Sequence, residues 1–255
     1  MQNPQAFIVA INTSTNTSSI KGNLPLITNA IKIKSRNILE KYLQGDKGLA
    51  RKELIGLYKK HPDSVVVNHL AAFILYRDKR FDEAYLQINK ALSTSPKNSI
   101  MINLRGLIQR QLLLFEDAIS SFQKAIKINS DYPDPYNNLG IFYRYYGKQK
   151  EAISCFKKAL AINSEFYSAR YNLACMKGYK FSEKEIKLVE EQQHKLKTLE
   201  DKARCSFTLY NALLKNSEHQ KAFYCLEEGN QLLFNGSKLH HYKLQKSKQS
   251  NNKLH

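Results

Sequence analysis

The chain is poor in everything that marks a membrane span, an exported protein or a disulfide scaffold. No apolar run approaches the roughly 18–20 residues a membrane helix needs. The only apolar stretch near the start is Phe7-Ile8-Val9-Ala10-Ile11 with no positive residue before it, so a signal peptide is not expected. Six prolines and ten glycines in 255 residues argue against collagen or a low-complexity chain, and 42% hydrophobic residues suffice for a core. The four cysteines, Cys155, Cys175, Cys205 and Cys225, form no C-x-x-C pair and read as reduced thiols in packed positions. A soluble cytoplasmic protein is the expectation.

Motifs that carry chemistry are also missing. The sequence holds no G-x-S-x-G, no G-x-x-x-x-G-K-[ST] and no G-x-G-x-x-G. His240 and His241 are adjacent, which on a helix points them about 100° apart, with no carboxylate or thiol at ligand spacing. His61, His69, His194 and His219 stand alone and read as surface or helix-end residues. No base is nominated for any cysteine. Neither catalysis nor a cofactor nor a metal is expected.

Acids are absent from both ends. Glu40 is the first and Glu228 the last, while Lys21, Lys32, Lys34, Arg36, Lys238, Lys243, Lys246, Lys248 and Lys253 lie outside them. Those nine cations are half of the net +18. Basic ends can attract nucleic acid or anionic lipid, although solvated termini are the simpler reading.

What the sequence does hold is a repeat at a fixed offset. Ala84, Ala118 and Ala152 stand 34 apart in one register; Ile88, Phe122 and Phe156 share a second; Ala91, Ala125 and Ala159 a third. Leu92, Ile126 and Leu160 form a fourth, and Pro96, Ser130 and Ser164 a fifth. An earlier half-copy supplies Ala50, Leu54, Leu57 and Pro62. The spacing i, i+4, i+7 within a copy is one face of a helix. Small alanines at fixed points let two helices approach, and the aromatic residue or Ile fills the gap between them. Helices are predicted at about 47–61, 65–77, 81–93, 99–111, 115–128, 133–146, 149–162 and 167–178.

The copy Pro133–Ser164, with Tyr136, Leu139, Gly140, Tyr143, Gly147, Ala152, Phe156 and Ala159, resembles the tetratricopeptide repeat. The copy at 99–132 departs from that pattern with Arg105 and Gln109 at points usually apolar or aromatic. The resemblance covers about residues 31–178. It implies an all-α, right-handed superhelical solenoid of antiparallel helix pairs. The domain reading is a disordered segment 1–28, a repeat array 29–178, a further repeat-like helical segment 179–234 and a basic tail 235–255.

Beyond Gly178, Ser182-x-x-Glu185 is a capping box opening a polar helix from Glu183 to about Leu199. Phe207, Leu209 and Ala212 then face Ala222, Leu226 and Gly229 as a last helix pair. The string Phe207–Ala212, followed by Phe223 and Glu228-Gly229-Asn230, is similar to the segment closing the repeat domain in bacterial proteins that fuse tetratricopeptide repeats to a sulfotransferase. That resemblance implies a catalytic domain after Asn230, and the stretch from Gln231 to His255 is too short to form one. Gly236-Ser237-Lys238 follows no apolar strand and is no phosphate loop.

A non-catalytic protein-interaction scaffold is therefore expected, with an extended peptide or partner protein, acidic ones included, in a concave groove. The groove-lining residues are read as Asn103, Leu107, Arg110, Asn137, Asn138, Ile141, Arg144, Tyr145, Tyr171 and Asn172. Asn138 and Asn172 stand 34 apart, and an amide can both donate to and accept from a peptide backbone. They resemble the asparagine ladder of O-linked sugar transferases. Arg110 and Arg144, also 34 apart, favour acidic partners. The alternatives are the recruiting half of a truncated or split sulfotransferase, and a basic RNA-binding repeat. The second is disfavoured because the aromatics fall on packing columns.

Overall fold

The computed structural model describes residues 24–251, with side chains for 29–236. Most of the expected N-terminal segment 1–28 and the side chains of His240, His241 and the tail beyond Gly236 lie outside the described residues. The described chain is built from helices, with no strand among its residues. In order, the helices are α1 (Leu24–Gln44), α2 (Lys47–Lys60), α3 (Val65–Arg77), α4 (Phe81–Thr94), α5 (Ser99–Gln111) and α6 (Phe115–Ile128). They continue as α7 (Pro133–Tyr145), α8 (Gln149–Ile162), α9 (Tyr167–Ala174), α10 (Glu183–Gln193), α11 (Leu199–Lys215) and α12 (His219–Asn251). The helices group into two compact units, divided between Pro135 and Tyr136.

Helices α1 and α2, α3 and α4, α5 and α6, and α11 and α12 pack as pairs, while α9 packs on α8 and α11 and α10 on α11. A single device turns the chain within the pairs and between α7 and α8. Gly45, Lys79, Leu113 and Gly147 stand 34 apart and have φ of 110°, 63°, 63° and 72°. At each turn an N–H reaches five residues back to cap the finished helix. Asp46 N donates to Lys41 O (3.0 Å), Arg80 N to Leu75 O (2.9 Å), Leu114 N to Gln109 O (2.9 Å) and Lys148 N to Tyr143 O (2.8 Å). This is the Schellman arrangement, which satisfies helix-end carbonyls through one left-handed residue. Ser217 (φ 65°) repeats it between α11 and α12, with Glu218 N on Leu213 O at 3.0 Å.

The first unit buries Ile38, Leu39, Phe73, Ile74, Ile88, Met101 and Ile102 in one core. The second gathers Phe156, Leu173, Val189, Leu209 and Leu213 in another. The periodic alanines Ala84, Ala118 and Ala152 are wholly buried, as are Ile88, Phe122 and Phe156. Gly106 and Gly140 explain the close approach. A Cβ on Gly106 would lie 2.7 Å from Phe122 Cε1, and one on Gly140 2.5 Å from Phe156 Cε1. The glycine on the first helix of the pair makes the slot, and the phenylalanine on the second helix fills it.

Two predicted helices end early. The helix expected over 167–178 stops at Ala174, because Lys215 reaches back from α11 and donates its ammonium hydrogens to the carbonyls of Ala174, Met176 and Tyr179. Asn216 adds a bond to Phe181 O at 3.1 Å. The polar helix expected to run to Leu199 ends at Gln193. Thr198 opens a new helix there, its hydroxyl accepting from Asp201 N at 3.1 Å. The capping box at Ser182 and Glu185 forms as expected.

Candidate functional site

The helices that carry the expected groove residues are α5 in the first unit and α7 and α9 in the second. On α5, Asn103 is fully buried and donates its amide to the Tyr132 hydroxyl at 3.2 Å. Leu107 is buried as well, while Arg110 is half-exposed at the helix end.

The second unit brings three of the candidates into one hydrogen-bonded chain. Arg144, exposed near the end of α7, donates to Asn172 Oδ1 on α9 at 3.4 Å. Asn172 in turn donates through Nδ2 to Asn137 Oδ1 at 2.9 Å. Both amides are nearly buried, at 8% and 6% exposure. Asn138, expected with Asn172 to face a peptide, has a similar burial, and the bond to Asn172 comes from its neighbour Asn137. Beside the chain, Ile141 and Tyr171 are half-buried and Tyr145 is 78% exposed. Burial first, and the neighbouring Cys175 second, push the Tyr171 hydroxyl above its ordinary range.

The direction of these bonds decides what the group can do. Each amide oxygen accepts one hydrogen bond and keeps a second lone pair, while Asn137 Nδ2 and the remaining Arg144 N–H groups are donors with capacity left. The patch presents donors and a positive charge, next to an exposed aromatic ring.

Several polar groups had no signal in the sequence. Arg170, 6% exposed on α9, donates to Gln192 Oε1 and to Ser164 O. Arg204 on α11 donates to Ser168 Oγ at 2.8 Å. His69, read as a surface or helix-end residue, is instead fully buried inside α3. It stands 34 apart from both Ser35 and Asn103, each fully buried, so a polar inner column runs through the first unit. Burial lowers the His69 pKa to about 3. The thiols behave as packing groups: burial pushes Cys155 and Cys205 up to about 11, with Glu151 adding to Cys155. Among the described residues no three His, Cys, Asp or Glu side chains cluster as a metal would require.

The C-terminal signature has a packing explanation. A Cβ on Gly229 would lie 2.7 Å from Phe207 Cε1. The Glu228 carboxylate accepts from Ser206 Oγ at 3.0 Å and from Gln193 Nε2 at 2.7 Å, tying α10, α11 and α12 together.

Antiparallel helix pairs recurring at one offset, each turned by a left-handed residue, define a helical-repeat protein. Residues 115–166 carry tetratricopeptide repeats: the family model for the tetratricopeptide repeat matches residues 133–166, and a second, described as TPR repeat, matches 115–144. Among solved structures it is similar to PilW, a type IV pilus biogenesis factor, with 20% identity over 80% of this chain and 90% of that one, TM-score 0.55. Pseudomonas aeruginosa pilF aligns at 17% identity over 83% and 92%, TM-score 0.55. A thermophilic TPR protein of Thermus thermophilus aligns at 15% identity over 77% and 98%, TM-score 0.52. These likenesses are of fold. No curated protein matches the sequence. None of the described helices is long and apolar enough to cross a membrane.

Proposed function

We propose that the chain is a protein-interaction scaffold, and that the second unit holds an extended, acceptor-rich segment of a partner protein against α7 and α9. The supporting observation is the Arg144–Asn172–Asn137 chain, whose guanidinium end offers spare N–H donors and a positive charge beside the two amides. Peptide carbonyls and Asp or Glu carboxylates supply the matching acceptors, and bonds to the guanidinium are the stronger kind. Tyr145 offers an exposed ring for an apolar or proline side chain in the same segment. The cytoplasm is the proposed compartment.

The C-terminal signature needs no sulfotransferase to account for it, since Phe207, Glu228 and Gly229 all pack or bond inside the second unit. RNA binding is disfavoured because rings such as Phe73, Phe122, Phe156 and Phe181 are buried and Tyr58, Tyr76, Tyr143 and Tyr179 pack against cores, which leaves fewer for base stacking.

The test is a pull-down with the purified chain, repeated with Asn137→Ala/Asn172→Ala and with Arg144→Ala. The amide pair should lower partner recovery at every salt concentration, with each lost bond worth on the order of 1 kcal/mol. Arg144→Ala should weaken chiefly the salt-sensitive part of binding. Unchanged capture by both variants would move the binding surface elsewhere on the molecule.

A further inference from the structure

The first unit contains a second candidate, in the cleft between α1 and α2. The cleft has a volume of about 660 Å³ and is lined by Lys34, Asn37 and Lys41 of α1 and by Glu53, Gly56 and Lys60 of α2, among others. The two helices run antiparallel, and the ion pair from Lys41 Nζ to Glu53 Oε1 at 2.5 Å marks residues at one level of the cleft. Lys34 stands seven residues before Lys41 on α1, and Lys60 seven residues after Glu53 on α2. Seven residues are about 10.5 Å of helix, so Lys34 and Lys60 reach the same level on opposite walls.

The charge there is unbalanced. Glu53 is engaged by Lys41, and neither Lys34 nor Lys60 has an ion pair among the described residues. Two like charges facing across a groove repel, and an anion between them reverses the sign of the interaction. The cleft has room for one: a Cβ on Gly56 would meet nothing within 4 Å. Ile33, 58% exposed, adds an apolar contact on the same helix face.

The repeat offset says what shape belongs in this seat. Lys34, Asn37 and Lys41 correspond to Asn68, Ala71 and Leu75 of α3. There Asn68 and Ala71 are buried and Leu75 packs against the core, and α1 and α2 pack on that helix. On α1 the equivalent face has an exposed cation, a half-buried one and an exposed amide where α3 carries a covered amide, an alanine and a leucine. We propose that an acidic helical segment of a partner protein lies in the α1–α2 cleft, with two carboxylates one turn apart on Lys34 and Lys60. The chain's own N-terminal residues cannot serve, because no Asp or Glu precedes Glu40.

The cleft shares no residue with the Arg144–Asn172–Asn137 chain, so the two sites fail or succeed separately. The probe is an acetylated, alanine-based helical peptide with four glutamates along one face, titrated into the full ¹⁵N-labelled chain at low salt. The amides of Asn37 and Gly56 should shift, and a control peptide with glutamine at those positions should leave them in place. Lys34→Glu/Lys60→Glu should weaken binding at least tenfold with an unchanged melt, since both side chains are exposed. Arg144→Ala should not alter it. Equal binding of the glutamine peptide, or equal binding by the double variant, would overturn the assignment. So would matching shifts with inorganic phosphate or an oligonucleotide, which would make the cleft a general anion site. Concentration-dependent shifts without peptide would replace the partner by a second copy.

Discussion

The two units build the same hairpin from different chemistry. In the second unit α7 carries Leu139, Gly140 and Tyr143 and turns at Gly147, as the repeat pattern prefers. In the first unit the matching positions are Arg105, Gly106, Gln109 and Leu113, and the helix pair still closes. The reason is local compensation: Ser121 on α6 donates to Gln109 Oε1 at 2.7 Å and accepts from Arg105 Nε at 3.3 Å. A polar residue at a packing point is tolerated when its hydrogen bonds are met inside the same pair. The slot between the helices is not negotiable in the same way. Gly106 with Phe122 and Gly140 with Phe156 form it in the repeats, and the last hairpin forms it again with Phe207 first and Gly229 second. The α3–α4 hairpin fills the same place with Ala72 and Ile88, both fully buried, so the rule is narrower: where a ring fills the slot a bare Cα faces it, and either helix can supply the ring.

The largest expected effect follows from that comparison. Phe122→Ala and Phe156→Ala should each destabilise by about 3–5 kcal/mol, because each ring is fully buried and its loss leaves a cavity. Phe207 is only half-buried, so Phe207→Ala should cost clearly less. Gly→Ala at 106, 140 and 229 should destabilise at all three places, by about 1–3 kcal/mol, since the ring must move. Urea unfolding of the full chain measures each. A harmless Gly229→Ala would show that the reversed pair is not the same device.

The second prediction separates the units by pH. His69 occupies the inner column that Asn137 occupies in the second unit, and burial holds it neutral, with a pKa of about 3. The unfolded chain binds this proton below about pH 6.5 and the folded chain does not. Stability is therefore complete above pH 6.5 and falls as the pH drops toward 3, by about 1.4 kcal/mol per unit. His69→Asn places the second unit's residue in the first unit's column and should flatten the profile between pH 6.5 and 4.5. Below that range carboxylates contribute. Arg51 and Tyr42 outweigh burial at Asp78 and hold its carboxyl below the usual range. An identical slope for wild type and His69→Asn would remove the histidine from the account.

The repeat was legible because each packing contact recurs at a fixed offset, and five columns marked most helices from α2 to α8 within about a residue. The early end of α9 was not legible. It depends on Lys215, which lies far downstream of the Ala174 carbonyl it caps and outside any period. Nor was the break before α11, where the short cap at Thr198 competes with a continuous polar pattern. At the candidate site, the 34-residue offset shows which side chains share a column, whereas the bond between adjacent helices has no such signal. Asn138 and Asn172 share a column, but neighbouring helices are offset, and Asn137 is the one that meets Asn172.

The smallest effect concerns the turns. Leu113 and Gly147 hold the same left-handed conformation one period apart, with φ of 63° and 72°. A side chain at that φ is disfavoured by about 1–2 kcal/mol relative to glycine. Leu113 is 71% exposed, so it recovers little by burial. Glycine at 113 relieves the strain but enlarges the freedom of the unfolded chain, which offsets part of the gain. Leu113→Gly should therefore stabilise by about 0.5–1 kcal/mol, and Gly147→Ala should destabilise by a similar amount. Opposite signs in paired urea titrations are the expected outcome. If Leu113→Gly instead destabilises, the leucine makes a contact in solution that its exposure conceals, and the turn between α5 and α6 becomes a docking point rather than a strained connection.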